Sequence, residues 1–289
     1  MPDCAPPLAQ VTSASQALPA HACDSHFHIF GPADVFPYAD DRPYTPPDAS
    51  FEQLRSLHRQ LGFSRGVIVQ PGCHGYDMSA TLDALDKGAG QYRAVALLAP
   101  DADERQIAEF DRRGVRGVRY NFVAHLANAG WDELAAVVPC IAPFGWHVCI
   151  HSDQASLPGL LPRLAALPVP FVIDHMGRAA AAQGTAGDAF QALLTLRDHP
   201  GAWVKISGLD RVSSSGKRPF RDGEALVAAL LETMPERLLW GTDWPHPNVA
   251  GDMPDDGELL NTFLRLCPDP ALQRQILVDN PDRLYRFEP

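Results

Sequence analysis

Short apolar runs recur along the chain at regular intervals, most of them rich in Val, Ile or Leu. Eight stand out, at residues 22–30, 66–70, 94–99, 115–121, 146–151, 171–175, 203–207 and 238–243. Between most of them, apolar residues return at three- and four-residue spacing. This predicts amphipathic helices over residues 51–61, 78–87, 104–113, 132–144 and 224–234. Asp48, Asp77 and Asp103 stand where helix N-caps are expected. Strands alternating with helices imply parallel βαβ units. Continuous apolar strands need cover on both faces, and eight such units close on themselves. The expected fold is therefore an α/β (β/α)8 TIM barrel. An open doubly wound sheet is the rival, but it usually carries a Gly-rich phosphate turn after its first strand, and none is present.

No composition shift divides the chain. Residues 1–21 mix Pro, Ser, Gln and Ala without an apolar run and read as an N-terminal arm, poorly ordered or strapped down. Residues 22–289 read as one barrel domain, and a length of 289 residues suits one barrel of this class. The Pro-rich stretch 31–47 follows the first strand and is expected to lie over the mouth as a lid.

Composition narrows the function classes. A formal net charge of −11 argues against a nucleic-acid partner, because phosphate binding needs a basic face. It does not argue against a small anionic substrate, since a few arginines in a cleft override the global field. Six cysteines are scattered without a C-x-x-C pair, which favours a reducing compartment and a cytoplasmic location. No signal peptide is recognised, and no stretch approaches about 18 consecutive apolar residues, so no membrane span is expected. A monomer and a homo-oligomer both remain open.

The chemistry lies where the strands end, because a barrel gathers its functional residues at the C-terminal ends of its strands. The first run ends in Asp24-Ser25-His26-Phe27-His28, the fifth in Ile150-His151, the sixth in Asp174-His175 and the eighth in Gly241-Thr242-Asp243. Residues two apart on a strand share a face, so His26 and His28 suit a divalent metal. That pair alone is a weak signal. Imidazoles and a carboxylate ending four separate strands are a strong one. His74 follows Cys73, but adjacent residues rarely face each other, so a nucleophile pair is not expected there. His147 starts its strand, at the stability end of the barrel, and reads as structural. Lys205 lies inside a strand, where charge is costly unless paired, and is expected to point into the barrel.

These segments resemble the amidohydrolase superfamily, and within it the 2-pyrone-4,6-dicarboxylate lactonase family. The likeness is carried by Asp24-Ser25-His26-Phe27-His28, Gly114-Val115-Arg116-Gly117-Val118-Arg119-Tyr120-Asn121-Phe122, Asp174-His175-Met176-Gly177-Arg178 and Trp240-Gly241-Thr242-Asp243-Trp244-Pro245-His246. It implies hydrolysis of a small carboxylated lactone of the kind met in aromatic catabolism, muconolactone-like and sugar-acid lactones included. By carry-over, Asp243 deprotonates the attacking water, while His26, His28 and His175 polarise the carbonyl. Arg119, Arg178 and Arg211 lie in segments whose arginines hold substrate carboxylates, a task that suits the guanidinium fork. His74, Tyr76 and His125 are further candidates for substrate contact.

The chain departs from that family in two places. His151 stands where the lactonases, which resemble the metal-free branch, carry a tyrosine. Imidazole binds divalent metals near neutral pH far better than a phenol does. One divalent ion, zinc for preference, is therefore expected on His26, His28, His151 and Asp243, with His175 bound or hydrogen-bonded to its water. The expected reaction is metal-assisted water attack with Asp243 as general base. The other reading is a metal-free site in which His151 only replaces the tyrosine as a donor. No lysine ends the fourth strand run, so a second, lysine-bridged metal is not expected. The second departure is His125 in place of an arginine, together with Tyr76 in place of a small residue. Either change alters the grip on substrate. The alternative activity is metal-dependent decarboxylation of an unsaturated or aromatic acid on the same scaffold.

Overall fold

The computed structural model describes residues 3–123 and 130–287. Eight parallel strands run in the order β1 to β8: Cys23–Phe27, Arg65–Val69, Tyr92–Ala96, Val115–Asn121, His147–His151, Phe171–Ile173, Ala202–Lys205 and Leu238–Leu239. The ring is closed from β8 back to β1. Ser25 N donates to Trp240 O at 2.8 Å, Asp243 N to His26 O at 2.8 Å, and Phe27 bridges Trp244. This is the expected (β/α)8 barrel. The second, fourth, fifth, sixth and seventh strands fall within about two residues of the apolar runs. The eighth is far shorter than its run, because its ladder with β7 ends at Leu239, while residues 240–244 keep pairing with β1.

Helices cover the outside. Phe51–Leu61, Ser79–Lys87, Glu104–Arg112, Trp131–Ile141 and Glu224–Thr233 match the periodic stretches. Asp103 caps the third, accepting from Gln106 N, which is worth about 1 kcal/mol. Asp48 does not cap the first. Ser50 does, in a reciprocal capping box with Gln53. Asp48 instead accepts from Ala33 N and Tyr38 Oη and so braces the 31–47 loop. Asp77 accepts from Ser79 N, one residue outside the cap position.

Strand alternation divides the core in two. Ile68, Val148, Ile150, Phe171, Ile173 and Leu238 face the helices. Val67, Val69, Cys149, Val172 and Leu239 face the barrel axis, where Leu284, Tyr285 and Phe287 from the last turn plug the N-terminal end. The same period places His147, Cys149 and His151 in one inward column, and Arg119 with Asn121 in another. β1 breaks the rule. Cys23 faces inward, yet Phe27, four residues on, packs outward. The pairing register slips between Asp24 and Phe27, and this bulge turns His26 into the barrel.

The arm at residues 3–21 is strapped along the barrel. Thr12 N and Oγ1 donate to Asp255, Ser15 N donates to Asn261 Oδ1, and Cys4 N donates to Thr45 O on the lid loop. Among the described residues no helix is long and apolar enough to cross a membrane.

Candidate active site

At the C-terminal end of the barrel, Asp243 sits among three imidazoles. Its Oδ1 lies 3.4 Å from His26 Nε2, 3.5 Å from His28 Nε2 and 3.6 Å from His175 Nε2. Its Oδ2 accepts from Arg211 Nε at 2.9 Å and Nη2 at 2.8 Å. Burial acts to raise the Asp243 carboxyl, but Arg211 and then the imidazoles outweigh it and hold the group well below the usual carboxylate range. Asp243 is thus a carboxylate at neutral pH.

The other ring nitrogens are tied down from behind, which sets each ring's orientation. His28 Nδ1 donates to Val69 O at 2.7 Å, leaving the Nε2 lone pair toward the cavity. His151 Nδ1 pairs with Asn121 Oδ1 at 3.0 Å, and His175 Nδ1 with Ser207 Oγ at 3.0 Å. Two buried nitrogens, His26 Nε2 and His151 Nε2, have no hydrogen-bond partner. Burial, then the Lys205 charge, pushes His26 down to about 4. Burial, then Arg119, holds His151 well below the ordinary histidine value. Neutral rings with free Nε2 atoms are what a metal ligand set requires. The donor atoms of His26, His28 and Asp243 lie within 4.8 Å of one another, and so do those of His26, Asp174 and His175. Among the described residues His151 joins no such group. Its ring stands 5.5 Å from that of His175.

Below the imidazoles lies a charged layer that sequence reasoning missed. Asp174 is fully buried and accepts from Lys205 Nζ at 3.0 Å, Arg119 Nε at 3.2 Å and Cys149 Sγ at 3.1 Å. Lys205 does point into the barrel and is paired there. Burial opposes ionisation of Asp174, but Lys205, His26 and Arg119 together keep its carboxyl well below the usual range.

The turn that follows β6 is strained. His175, Met176, Gly177 and Arg178 have φ of 50, 53, 62 and 52°, one turn of left-handed backbone. Each non-glycine residue there costs about 1–2 kcal/mol. The turn aims His175 and Arg178 at the same cavity, and Asp243, at φ 66°, is aimed the same way from β8.

That cavity has a volume of about 300 Å3. His28, His151, His175, Asp243, Arg119, Arg178 and Arg211 line it, so three arginines and the acid–imidazole cluster share one space. Arg211 is already committed to Asp243. Arg178 has no ion-pair or hydrogen-bond partner among the described residues. His74 and Tyr76 do not line the cavity. His74 is buried under the lid loop, close to Pro37 O and Gly31 N, and Tyr76 is 44% exposed. His125 lies outside the described residues. His246 turns away to Asp256 Oδ1 at 3.0 Å. Tyr44 of the lid loop, Asn121 and Asn248 line the cavity without having been singled out. Asn121 ends β4 as His151 ends β5, so the strand-end rule had the signal for it. Tyr44 gave none.

Comparison with known proteins agrees with this architecture. The family model described as Amidohydrolase matches residues 23–287. A 2-pyrone-4,6-dicarboxylate hydrolase of Comamonas testosteroni is 42% identical over 277 residues, covering 93% of this chain and 91% of that protein. A 4-sulfomuconolactone hydrolase of Rhizobium radiobacter is 39% identical, covering 99% and 96%. The solved structure of a putative 2-pyrone-4,6-dicarboxylic acid hydrolase from Pseudomonas putida superposes with a TM-score of 0.82 at 33% identity, covering 94% of this chain and 100% of that one. Matched from its first strand to its last helix, with the strand-end histidines and aspartate gathered round one cavity, the chain belongs to the amidohydrolase family.

Proposed function

We propose that this protein hydrolyses a small lactone bearing an anionic group, a carboxylate or a sulfonate, with Asp243 as the general base. The observation that carries the reading is Arg178. A half-buried guanidinium without a partner, facing a cavity that holds an ionised base, is arranged to receive an anion. Relatives named for dicarboxylate and sulfonate lactones support the same substrate class. Nothing in the site favours the decarboxylase alternative.

The Nε2 atoms of His26 and His28 with Asp243 fit a divalent ion, and zinc suits this nitrogen and carboxylate set, while the orphaned Nε2 of His151 stands outside that cluster. When bound, such an ion supplies Lewis acidity, which polarises a carbonyl and lowers the pKa of water. The chain's own groups do the rest. Arg178 and Arg119 hold the anionic substituent and so fix the ring's position. Asp243 Oδ1 accepts the proton of the attacking water. Arg211 keeps that carboxylate ionised and prevents its rotation. His175, braced by Ser207, faces the position where negative charge develops on the carbonyl oxygen. Tyr44 and Pro43 of the lid loop wall off the mouth. Six free cysteines suit a reducing compartment, and the reading is of a cytoplasmic enzyme.

The test is a proton-release screen of carboxylated and sulfonated lactones beside their neutral analogues. Faster turnover of the anionic lactones than of the neutral ones, with that preference lost in Arg178→Met, is expected. Equal turnover of neutral and anionic lactones would sink the reading.

A further inference from the structure

Lys205 takes no part in the reaction as written above, yet it is fully buried directly beneath it. Its ammonium lies 3.0 Å from Asp174 Oδ1 and 3.0 Å from His26 Nδ1, with Cys149 Sγ at 3.7 Å. Asp174 Oδ1 is itself 3.3 Å from the same His26 nitrogen. One ring nitrogen thus faces a donor and an acceptor that require opposite tautomers. If Nδ1 accepts from Lys205, Nε2 carries the ring proton. If Nδ1 donates to Asp174, Nε2 carries a lone pair.

We propose that Lys205 and Asp174 compete for His26 Nδ1, so that this buried pair decides whether His26 Nε2 presents a proton or a lone pair toward Asp243. Lys205 is a positioning residue. In the metal-free protein its N–H points at Nδ1, and the His26 Nε2 proton faces Asp243 Oδ1 at 3.4 Å. Ligation of a cation by Nε2 moves that one proton to Nδ1, where Asp174 accepts it. The count of ring protons does not change. Lys205 then turns its hydrogen away and keeps its pair with Asp174. The carboxylate–histidine–metal arrangement formed in this way holds a ligand ring in place. The ammonium opposes it twice, by favouring the wrong tautomer and by adding positive charge below a cation site. Arg119, 3.2 Å from Asp174 Oδ2, secures the carboxylate from its other side.

Only the cation half of this inference rests on the metal reading above, so the two are tested separately. Ring 15N–1H correlation spectra of the metal-free full chain report the tautomer, with His26 assigned by its loss in His26→Asn. Wild type is expected to show His26 protonated at Nε2, and Lys205→Met to show it protonated at Nδ1. Competition with a chromogenic chelator reports zinc affinity. Lys205→Met is expected to bind zinc about tenfold or more tighter, and Asp174→Asn more weakly by a similar factor. Lys205→Gln covers the case in which the Met variant does not fold. It keeps a donor without the charge, so it retains the wild-type tautomer while zinc binding tightens. The same tautomer in wild type and Lys205→Met overturns the proposal. So does unchanged zinc affinity in folded Lys205 and Asp174 variants. If wild type takes up no zinc at all, the metal reading fails, and the spectra still decide the tautomer.

Discussion

His147 and His151 begin and end the same strand, face the same interior and are almost equally buried, yet their surroundings differ. His151 has Asn121 behind Nδ1 and open cavity before Nε2. His147 has neither. Both of its ring nitrogens are without a partner, and its ring packs on Tyr285, 5.4 Å away, and on Gly117. A Cβ at Gly117 would come within 2.6 Å of His147 Cε1, so only glycine leaves room for that ring. Burial depresses both imidazoles, and a depressed pKa therefore does not separate function from filling. What separates them is the group that holds the back of the ring and the space in front of it. The barrel repeats this contrast from end to end. At the mouth, side chains are braced and aimed. At the base they are packed.

The largest expected effect is at the mouth. Asp243→Asn removes the base while keeping the shape, and kcat should fall by about 10²–10⁴-fold. A loss below tenfold would mean the water is activated elsewhere. Next comes Arg178→Met. Leaving a bound anion unpaired costs about 2–5 kcal/mol, so kcat/KM should drop about a hundredfold or more, with neutral lactones unaffected. Steady-state kinetics on both substrate types checks this.

A third test sets the two histidines of β5 against each other. His151→Phe should lose activity, and Asn121→Ala, which only unbraces the ring, should cost about 10–100-fold in activity or metal affinity. His147→Phe should leave kcat unchanged and Tm equal or higher, because it removes two unpaired nitrogens and keeps the ring. If His147→Phe proves as damaging as His151→Phe, the division between braced mouth and packed base fails.

The smallest effect is in the acid response. Burial pushes His26 to about 4 and His147 to about 3, from an ordinary 6.5. The unfolded chain therefore binds more protons than the folded one below pH 6.5, and stability should fall as pH drops through that window. At pH 5 His147 alone accounts for about 2 kcal/mol of this loss. Thermal melts from pH 7 to 5 should show a shallower fall in His147→Phe than in wild type. Identical slopes would contradict the assignment.

Much of this organisation was legible in the chain. Alternation of apolar runs with helical stretches gave the barrel, and the strand-end rule brought His26, His28, His151, His175 and Asp243 to one mouth. Local chemistry read less well. Leu157–Ala165 forms a helix despite two prolines and a glycine, because tertiary burial of Leu157, Leu160, Leu161 and Leu164 outweighs weak propensity. Asp48 resembled a cap, but Ser50 is the residue whose hydroxyl reaches the first turn. The bulge in β1 and the Lys205–Asp174–Arg119 layer were not legible. They join residues of different strands, 31 positions apart for Asp174 and Lys205 and 55 for Arg119 and Asp174, and depend on which strands are neighbours. Arg211 was expected on the substrate, and only the geometry reveals its grip on Asp243.

The central claim is that water, activated by Asp243, opens a lactone ring in this cavity. Turnover of a carboxylated lactone in 18O-labelled water tests it most directly, with mass spectrometry of the product and headspace analysis in the same run. The expected result is one 18O per product, in the new carboxylate, at a rate that collapses in Asp243→Asn. A product lacking the label, or release of carbon dioxide in place of ring opening, would contradict the account.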